Sequence, residues 1–220
     1  MKCVAVSDIH LRDVRTPPAD LLIVTGDMSM KGSPEEMSWF GNWLDRQPAQ
    51  YKVWIAGNHE VGIEEEPDLA TQIAFETGSV YLNDSEIEIE GIRIWGSPIT
   101  PWFYDWAFNR KRGAEIRKHW DKIPAGIDIL LTHGPPHGYL DLNRSAEHCG
   151  CEELTDVIMN TLRRPPRYHI FGHIHSGYGR SVVKRKDHQT FEVINASSCN
   201  ERYQAVNEPV EFEISPQPQR

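Results

Sequence analysis

The sequence predicts an α/β fold, and three observations carry that reading. Six short runs rich in Val, Ile and Leu end abruptly in polar or glycine-containing turns, the pattern of buried strands followed by polar loops. Between them lie segments with apolar residues at helical spacing, one of them opened by a capping box. A hairpin-like alternation separates an earlier from a later set of these units, so strands and helices alternate around a central meander.

In chain order, the first strand is predicted over residues 2–7, where Asp8 ends an apolar stretch, and the second over residues 21–25. Ser33, Pro34, Glu35 and Glu36 then form a capping box with proline at the first helical position. Met37, Phe40, Trp43 and Leu44 follow on one face, which predicts an amphipathic helix. A third strand is expected over residues 51–56, a helix over 67–76, and a hairpin over 87–95 turning at Glu90 and Gly91. Helices over 113–120 and 151–162 and strands over 127–132, 168–171 and 191–195 complete the pattern. Residues 215–220 hold two prolines and no apolar side chain and are expected to fray. No repeat, low-complexity segment or linker interrupts the chain, so a single domain over residues 1–220 is expected.

Composition narrows the function classes. With 39% hydrophobic and 25% charged residues, the 220-residue chain is neither disordered, collagen-like nor membrane-embedded in character. Its 23 basic and 32 acidic side chains give a net charge of -9, which opposes binding to a long nucleic acid. The apolar start is too short for a secretory signal, and no run reaches membrane-spanning length. Cys3, Cys149, Cys151 and Cys199 show no disulfide framework, so reduced thiols in a cytoplasm are expected. His148, Cys149 and Cys151 form a small cluster. A structural zinc site would need a fourth ligand and wider cysteine spacing, and packing thiols are the alternative.

The informative residues come directly after the strands. They are Asp8 and His10; Gly26 and Asp27; Gly57, Asn58, His59 and Glu60; His133 and Gly134; and Gly172, His173 and His175. In an α/β sheet the loops beyond the carboxyl ends of the strands converge on one rim, so these fragments can meet in space. Mixed carboxylate, amide and imidazole sets bind divalent metals, and neighbouring glycines permit the tight turns that aim them. Taken singly, a capping aspartate, a turn dipeptide or a packed histidine would be the ordinary reading of each fragment. All of them, in this order and each behind a strand, point to a metal site.

The order D-x-H, G-D, G-N-H-E, H-G and G-H-x-H, spanning Asp8 to His175, resembles the calcineurin-like metallophosphoesterase superfamily. Longer strings at residues 56–60, 131–136, 171–179 and 195–197 resemble its metallophosphoesterase-domain-containing branch, whose members act on phosphodiesters. The resemblance implies a four-layer α/β/β/α sandwich with the site at the rim of the strands. It also implies two divalent metal ions, one on Asp8, His10 and His175, the other on Asn58, His133 and His173, with Asp27 bridging. Mn, Fe, Zn or Co would each suit such donors. A bridging hydroxide would attack phosphorus, and His59 would act as the acid that protonates the leaving group, with Asn58 and His59 touching substrate.

The chain departs from the pattern in one place. Many relatives carry a second aspartate shortly after the G-D pair to orient the histidine, whereas Met28, Ser29 and Met30 offer none. Another carboxylate or a backbone carbonyl would have to serve, and Glu60 reads as a helix-terminal or surface residue. Of the remaining histidines, His119, His148, His169 and His188 are assigned to surface or packing roles. His137, four residues past His133, is a candidate substrate contact. Trp102, Phe103, Tyr104, Trp106 and Phe108 offer either a stacking surface for a nucleobase or core and interface packing. Lys184, Arg185 and Lys186 read as a solvated strand end.

The expected substrate is a small phosphodiester, with cyclic nucleotides as candidates. A phosphomonoesterase or nuclease of the same fold is the alternative enzyme, and a non-catalytic interaction module the alternative of another class. Neither a membrane nor a long nucleic acid is expected as partner, and an oligomer is left open.

Overall fold

The structure is a computed structural model describing residues 1–216. The amino-terminal part runs β1 (Lys2–Val6), β2 (Ala19–Thr25), α1 (Pro34–Asp45), β3 (Ala49–Ile55), α2 (Val61–Glu65), α3 (Asp68–Thr77) and β4 (Val80–Tyr81). A hairpin of β5 (Ser85–Ile89) and β6 (Ile92–Ser97) follows, then the short pair β7 (Thr100–Pro101) and β8 (Asn109–Arg110). The remainder comprises α4 (Ala114–Trp120), β9 (Ile129–Thr132), α5 (Glu152–Asp156) continued by a π turn at Val157–Thr161, β10 (Tyr168–Phe171), β11 (Gly179–Lys184), β12 (Thr190–Asn195) and β13 (Val210–Glu213).

Two large sheets form beside the β7-β8 pair, in the orders β13-β1-β2-β3-β4 and β11-β12-β10-β9-β6-β5. Each has a parallel centre, β1 to β4 in one and β12, β10, β9 and β6 in the other. Antiparallel strands close the other edges, β13 in the first sheet and β11 and β5 in the second. Side-chain alternation explains the layering. Ala5, Ile23 and Ile55 from one sheet share a buried cluster with Ile94, Leu131, Ile170 and Ile194 from the other. Residues of opposite parity, among them Trp54, Leu130 and Phe171, join Phe40 and Trp43 of α1, Ile116 and Trp120 of α4 and Leu154 of α5. The result is the α/β/β/α sandwich.

Local signals account for the helix ends. Ser33 caps α1, its side chain accepting from the Glu36 amide while the Glu36 side chain returns to the Ser33 backbone, as the capping box predicts. Gly78, at φ +60°, closes α3 in the left-handed conformation. One surface reading needs correction. Arg185 is buried, not solvated, and its guanidinium donates to the Ile158 and Leu162 carbonyls at 3.1 and 2.8 Å, satisfying groups that the π turn leaves open. Cys149 and Cys151 take the packing alternative and form no metal cluster among the described residues. Cys151 instead packs in the core and accepts from the Trp120 indole at 3.3 Å, while His148 pairs with Asp141 at 2.7 Å. The expected fraying of residues 215–220 falls largely on residues 217–220, outside the described chain.

His169 in β10 is fully buried and meets Thr132 Oγ1 through Nε2 at 2.8 Å. That hydroxyl donates to the Gly134 carbonyl at 2.7 Å, so the imidazole donates from Nε2 and its Nδ1, which has no partner, carries no proton. Burial pushes the His169 imidazole down to about 3 from its ordinary 6.5. Between those values the unfolded chain binds a proton that the folded chain does not. The His169 contribution to stability is therefore intact above pH 6.5 and is lost as pH falls towards 3. Denaturant titrations should show stability falling by up to about 1.4 kcal/mol per pH unit through this window, and His169→Phe should flatten that slope.

Candidate metal centre

The carboxyl ends of β1, β2, β3, β9, β10 and β12 open on one rim, where Ser7 pairs with Ser197 and joins the two sheets. The Ser7 amide donates to the Ala196 carbonyl and the Ser198 amide to the Ser7 carbonyl, both at 2.8 Å. This seam brings the loops after the strands together.

Asp8, His10 and His175 converge, as do Asp27, His133 and His173, and His10, Asp27 and His59, with ligand atoms in each set within 4.8 Å of one another. Asp27 belongs to the second and the third of these sets, and His10 links the third to the first. Asp27 Oδ2 lies 3.3 Å from His133 Nε2 and 3.9 Å from both His10 Nε2 and His59 Nε2. Asn58 Oδ1 meets His133 Nε2 at 2.9 Å. Asp8 Oδ1 lies 3.2 Å from His175 Nε2, and the two nitrogens His10 Nε2 and His175 Nε2 are 3.4 Å apart.

Four of the imidazoles are oriented from behind by backbone carbonyls. Nδ1 of His10 faces the Ser29 carbonyl at 3.2 Å, that of His59 the Met30 carbonyl at 2.8 Å, that of His133 the Thr25 carbonyl at 2.8 Å and that of His175 the Asn200 carbonyl at 3.0 Å. In the neutral ring, an Nδ1–H donating outward leaves the Nε2 lone pair directed into the centre, the tautomer a metal requires. The second aspartate missing after Asp27 is thus replaced by the Met30 carbonyl.

Glu60 stands at the start of α2, as its helix-terminal reading has it, but it is not a surface residue. It is completely buried, and its carboxylate accepts from the amides of Asp27, Ser29 and Gly57 and from the Ser29 hydroxyl, all between 2.7 and 2.9 Å. Burial and the nearby Asp27 push its carboxyl above the usual range, opposed by these donors. The side chain clamps the β2 and β3 loops together beneath Asp27 and Asn58.

The loops are strained where the ligands sit. Asp8, His10, Asp27 and His173 have φ of 51°, 42°, 53° and 66°. Such left-handed conformations cost on the order of 1–3 kcal/mol each and cluster at functional sites. Glycine next to them is a requirement of space. A Cβ on Gly172 would overlap Asp8 Oδ2 and Ser7 Oγ, and one on Gly57 would overlap Asp27 Oδ1.

Electrostatics fit divalent cations. Burial disfavours the charged form of Asp8, but the charge and hydrogen bond of His175 outweigh it and hold the carboxyl below its ordinary range. Asp27 is likewise lowered against burial, by His133, His59 and His10. Despite burial, Asp27 lifts His133 to about 9 and Asp8 lifts His175 to about 9. Burial takes His173 down to about 3, with the His133 charge adding to the shift. Without metal, two buried carboxylates are balanced by protons on imidazoles, the positive charge that divalent ions would supply. The donor set, its convergence and its tautomers all suit a metal centre.

Above this floor opens a cleft of about 450 Å³. Phe103, Trp106, Asn143, Arg144, Glu201 and Tyr203 are among the residues that line it. The aromatic run is therefore divided: Phe103 and Trp106 face the cleft, Phe108 is buried, and Trp102 and Tyr104 are exposed. His137 is not brought into this cleft. It lies beside His148, with ring centroids 5.1 Å apart, and 4.0 Å from Glu152.

Comparison with known proteins decides the family. The family model described as calcineurin-like phosphoesterase matches residues 1–177. The chain belongs to the calcineurin-like phosphoesterase family. It is 40% identical over 235 residues to metallophosphoesterase domain-containing protein 1 of Homo sapiens, covering 96% of this chain and 70% of that protein. A 3′,5′-cyclic-nucleotide phosphodiesterase of Nostoc sp. is 25% identical over 94% of this chain and 71% of its own length. The crystal structure of TT1561 of Thermus thermophilus shares the fold, with a TM-score of 0.57 at 13% identity over 88% of each chain. Family membership makes the chain a metal-dependent phosphoester hydrolase, and its His/Asp cluster suits divalent metal ions.

Within this metallophosphoesterase, sequence reasoning missed the residues that hold the ligands. Ser197 Oγ donates to Asp8 Oδ2 at 2.8 Å, and the His173 amide donates to both Asp8 oxygens. Asn195 Oδ1 accepts from Ser197, while its Nδ2 donates to the Ile174 carbonyl at 2.9 Å. The signal was available, because Asn195, Ala196 and Ser197 close a predicted strand as the ligand turns do.

Proposed function

We propose that this protein is a binuclear metal-dependent phosphodiesterase acting on small phosphodiesters of nucleotide size, cyclic nucleotides among them. The observation that carries the reading is the convergence of Asp8, His10, Asp27, Asn58, His133, His173 and His175, with His59 beside them and Asp27 between the two halves. When bound, two divalent ions would neutralise phosphate charge and generate a water-derived nucleophile near neutral pH. Asp8, His10 and His175 would hold one ion, Asn58, His133 and His173 the other, and Asp27 both.

His59 serves as proton donor. The Met30 carbonyl takes its Nδ1–H and Trp106 packs on the ring, with centroids 4.5 Å apart, so Nε2 is the position left to carry a proton towards a leaving oxygen. Asn58, next to it, is placed to touch both ligand site and substrate.

Preference for a diester rests on the cleft. A monoester places one substituent above the centre, whereas a cleft of about 450 Å³ lined by Phe103, Trp106 and Tyr203 has room for a second. The volume suits a mononucleotide, and the net charge of -9 disfavours a long polyanion. The cyclic-nucleotide activity in the name of the Nostoc relative supports the same substrate class.

Mn-reconstituted protein is expected to hydrolyse bis-nitrophenyl phosphate with a higher kcat/KM than nitrophenyl phosphate. A faster monoester reaction would assign the protein to phosphomonoesterases. A parallel screen of cyclic nucleotides would then rank the physiological candidates.

A further inference from the structure

Tyr203 lies beyond residues 1–177, the part matched by the family model, yet it lines the cleft. Its ring stands nearly perpendicular to three imidazoles at once. The centroids are 4.6 Å from His10 at 74°, 6.0 Å from His175 at 79° and 6.2 Å from His59 at 77°. Perpendicular arrangements in this distance range are the favourable ones for aromatic pairs.

The backbone of Tyr203 is left-handed, at φ +56°. For a bulky aromatic residue that conformation is an outlier, and it persists only where the surroundings impose it. Here they do. The Tyr203 amide donates to the Asn200 carbonyl at 2.8 Å, and Asn200 Oδ1 accepts from the amides of Arg202 and Gln204 at 2.9 and 3.2 Å. Arg12 Nε donates to the Tyr203 carbonyl at 2.8 Å. The Asn200 carbonyl that accepts from Tyr203 also faces His175 Nδ1 at 3.0 Å. One turn therefore fixes both the strained tyrosine and the orientation of His175, and Arg12, two residues after His10, anchors it from the other side.

We propose that Tyr203 is a positioning residue whose ring holds His10, His175 and His59 in register, linking the first metal-ligand set to the proton donor. The inference rests on the roles proposed above for those histidines. The ring carries the effect, since the three contacts are ring contacts and the hydroxyl makes no hydrogen bond among the described residues. Phenylalanine should therefore replace tyrosine, and alanine should not.

The test compares Tyr203→Phe and Tyr203→Ala in the full chain, first without metal. In nitrogen-15 histidine spectra, Tyr203→Ala should shift or broaden the ring signals of His10, His59 and His175, and Tyr203→Phe should restore them. His119 and His169, which Tyr203 does not touch, should keep their signals in both variants and report intact folding. Mn²⁺ titration should then show affinity for one of the two ions falling about 10- to 100-fold in Tyr203→Ala, the range for loss of a group that orients ligands, with near-native affinity in Tyr203→Phe. Unchanged signals of the three histidines in Tyr203→Ala, or equal losses in both variants, would overturn the role of the ring. Wild-type protein that binds no Mn²⁺ while the metal-free spectra behave as described would instead count against the metal reading and leave the positioning role standing.

Discussion

Asp27→Ala is expected to release both metal ions and abolish metal-supported turnover while leaving the fold in place. Asp27 Oδ2 lies within 3.9 Å of His10, His59 and His133, and its Oδ1 accepts from the His59 amide at 2.9 Å. No other carboxylate appears in more than one of the converging sets among the described residues. Removing it would take a ligand from each ion and leave His133 without the partner that raises its pKa. Loss of an outer partner of a ligand typically costs about 10- to 100-fold in metal affinity or activity. Loss of a shared ligand should therefore exceed about 100-fold for each ion, measured by equilibrium dialysis against Mn²⁺. Retention of one tightly bound ion by the variant would remove Asp27 from the bridging position.

The second large effect is expected at His59. His59→Ala should retain both ions, because the two proposed ligand sets do not include it. Its turnover should depend on the leaving group. Hydrolysis of alkyl diesters should fall by about 10²- to 10⁴-fold, the range for loss of a positioned general acid, while diesters with activated aryl leaving groups should lose far less. Both kcat values, measured against leaving-group pKa, give the slope directly. Equal losses on the two kinds of diester would mean that His59 does not donate the proton.

Much of this architecture is legible in the sequence because Asp, Asn and His recur, in one order, directly behind successive apolar strands, although each turn taken singly is ordinary. The turns after residues 2–7, 21–25, 51–56, 127–132 and 168–171 announce the rim, and the capping box at Ser33 announces α1. Other features have no such signature. The Met30 carbonyl that orients His59 is a backbone group, and no side chain encodes it. Glu60 looks like the start of a helix, and only the approach of the β2 loop turns it into a buried clamp. His137 follows His133 by four residues, but Pro136 pairs with Cys151 and the His137 amide donates to the Cys151 carbonyl, which carries the chain away from the cleft. Arg185 sits among charged neighbours, and its burial depends on a π turn that begins far earlier in the chain, at Val157.

The strand β13 was equally hidden. Val210 and Phe212 point inward while Glu211 and Glu213 face outward, a clean alternation over four residues that is too short to stand out until β1 pairs with it. Tyr203 is legible only as an aromatic near the end of the chain. Its contact with three histidines depends on a left-handed turn that composition does not announce.

The catalytic reading of this site depends on Asp8, His10, Asp27, Asn58, His133, His173 and His175 acting together as a centre for two divalent ions. Elemental analysis of wild-type protein, stripped with chelator, reconstituted with Mn²⁺ and desalted, puts that dependence to the test. Close to two ions per chain are expected. Protein that retains none, with its fold intact, would contradict the metal centre.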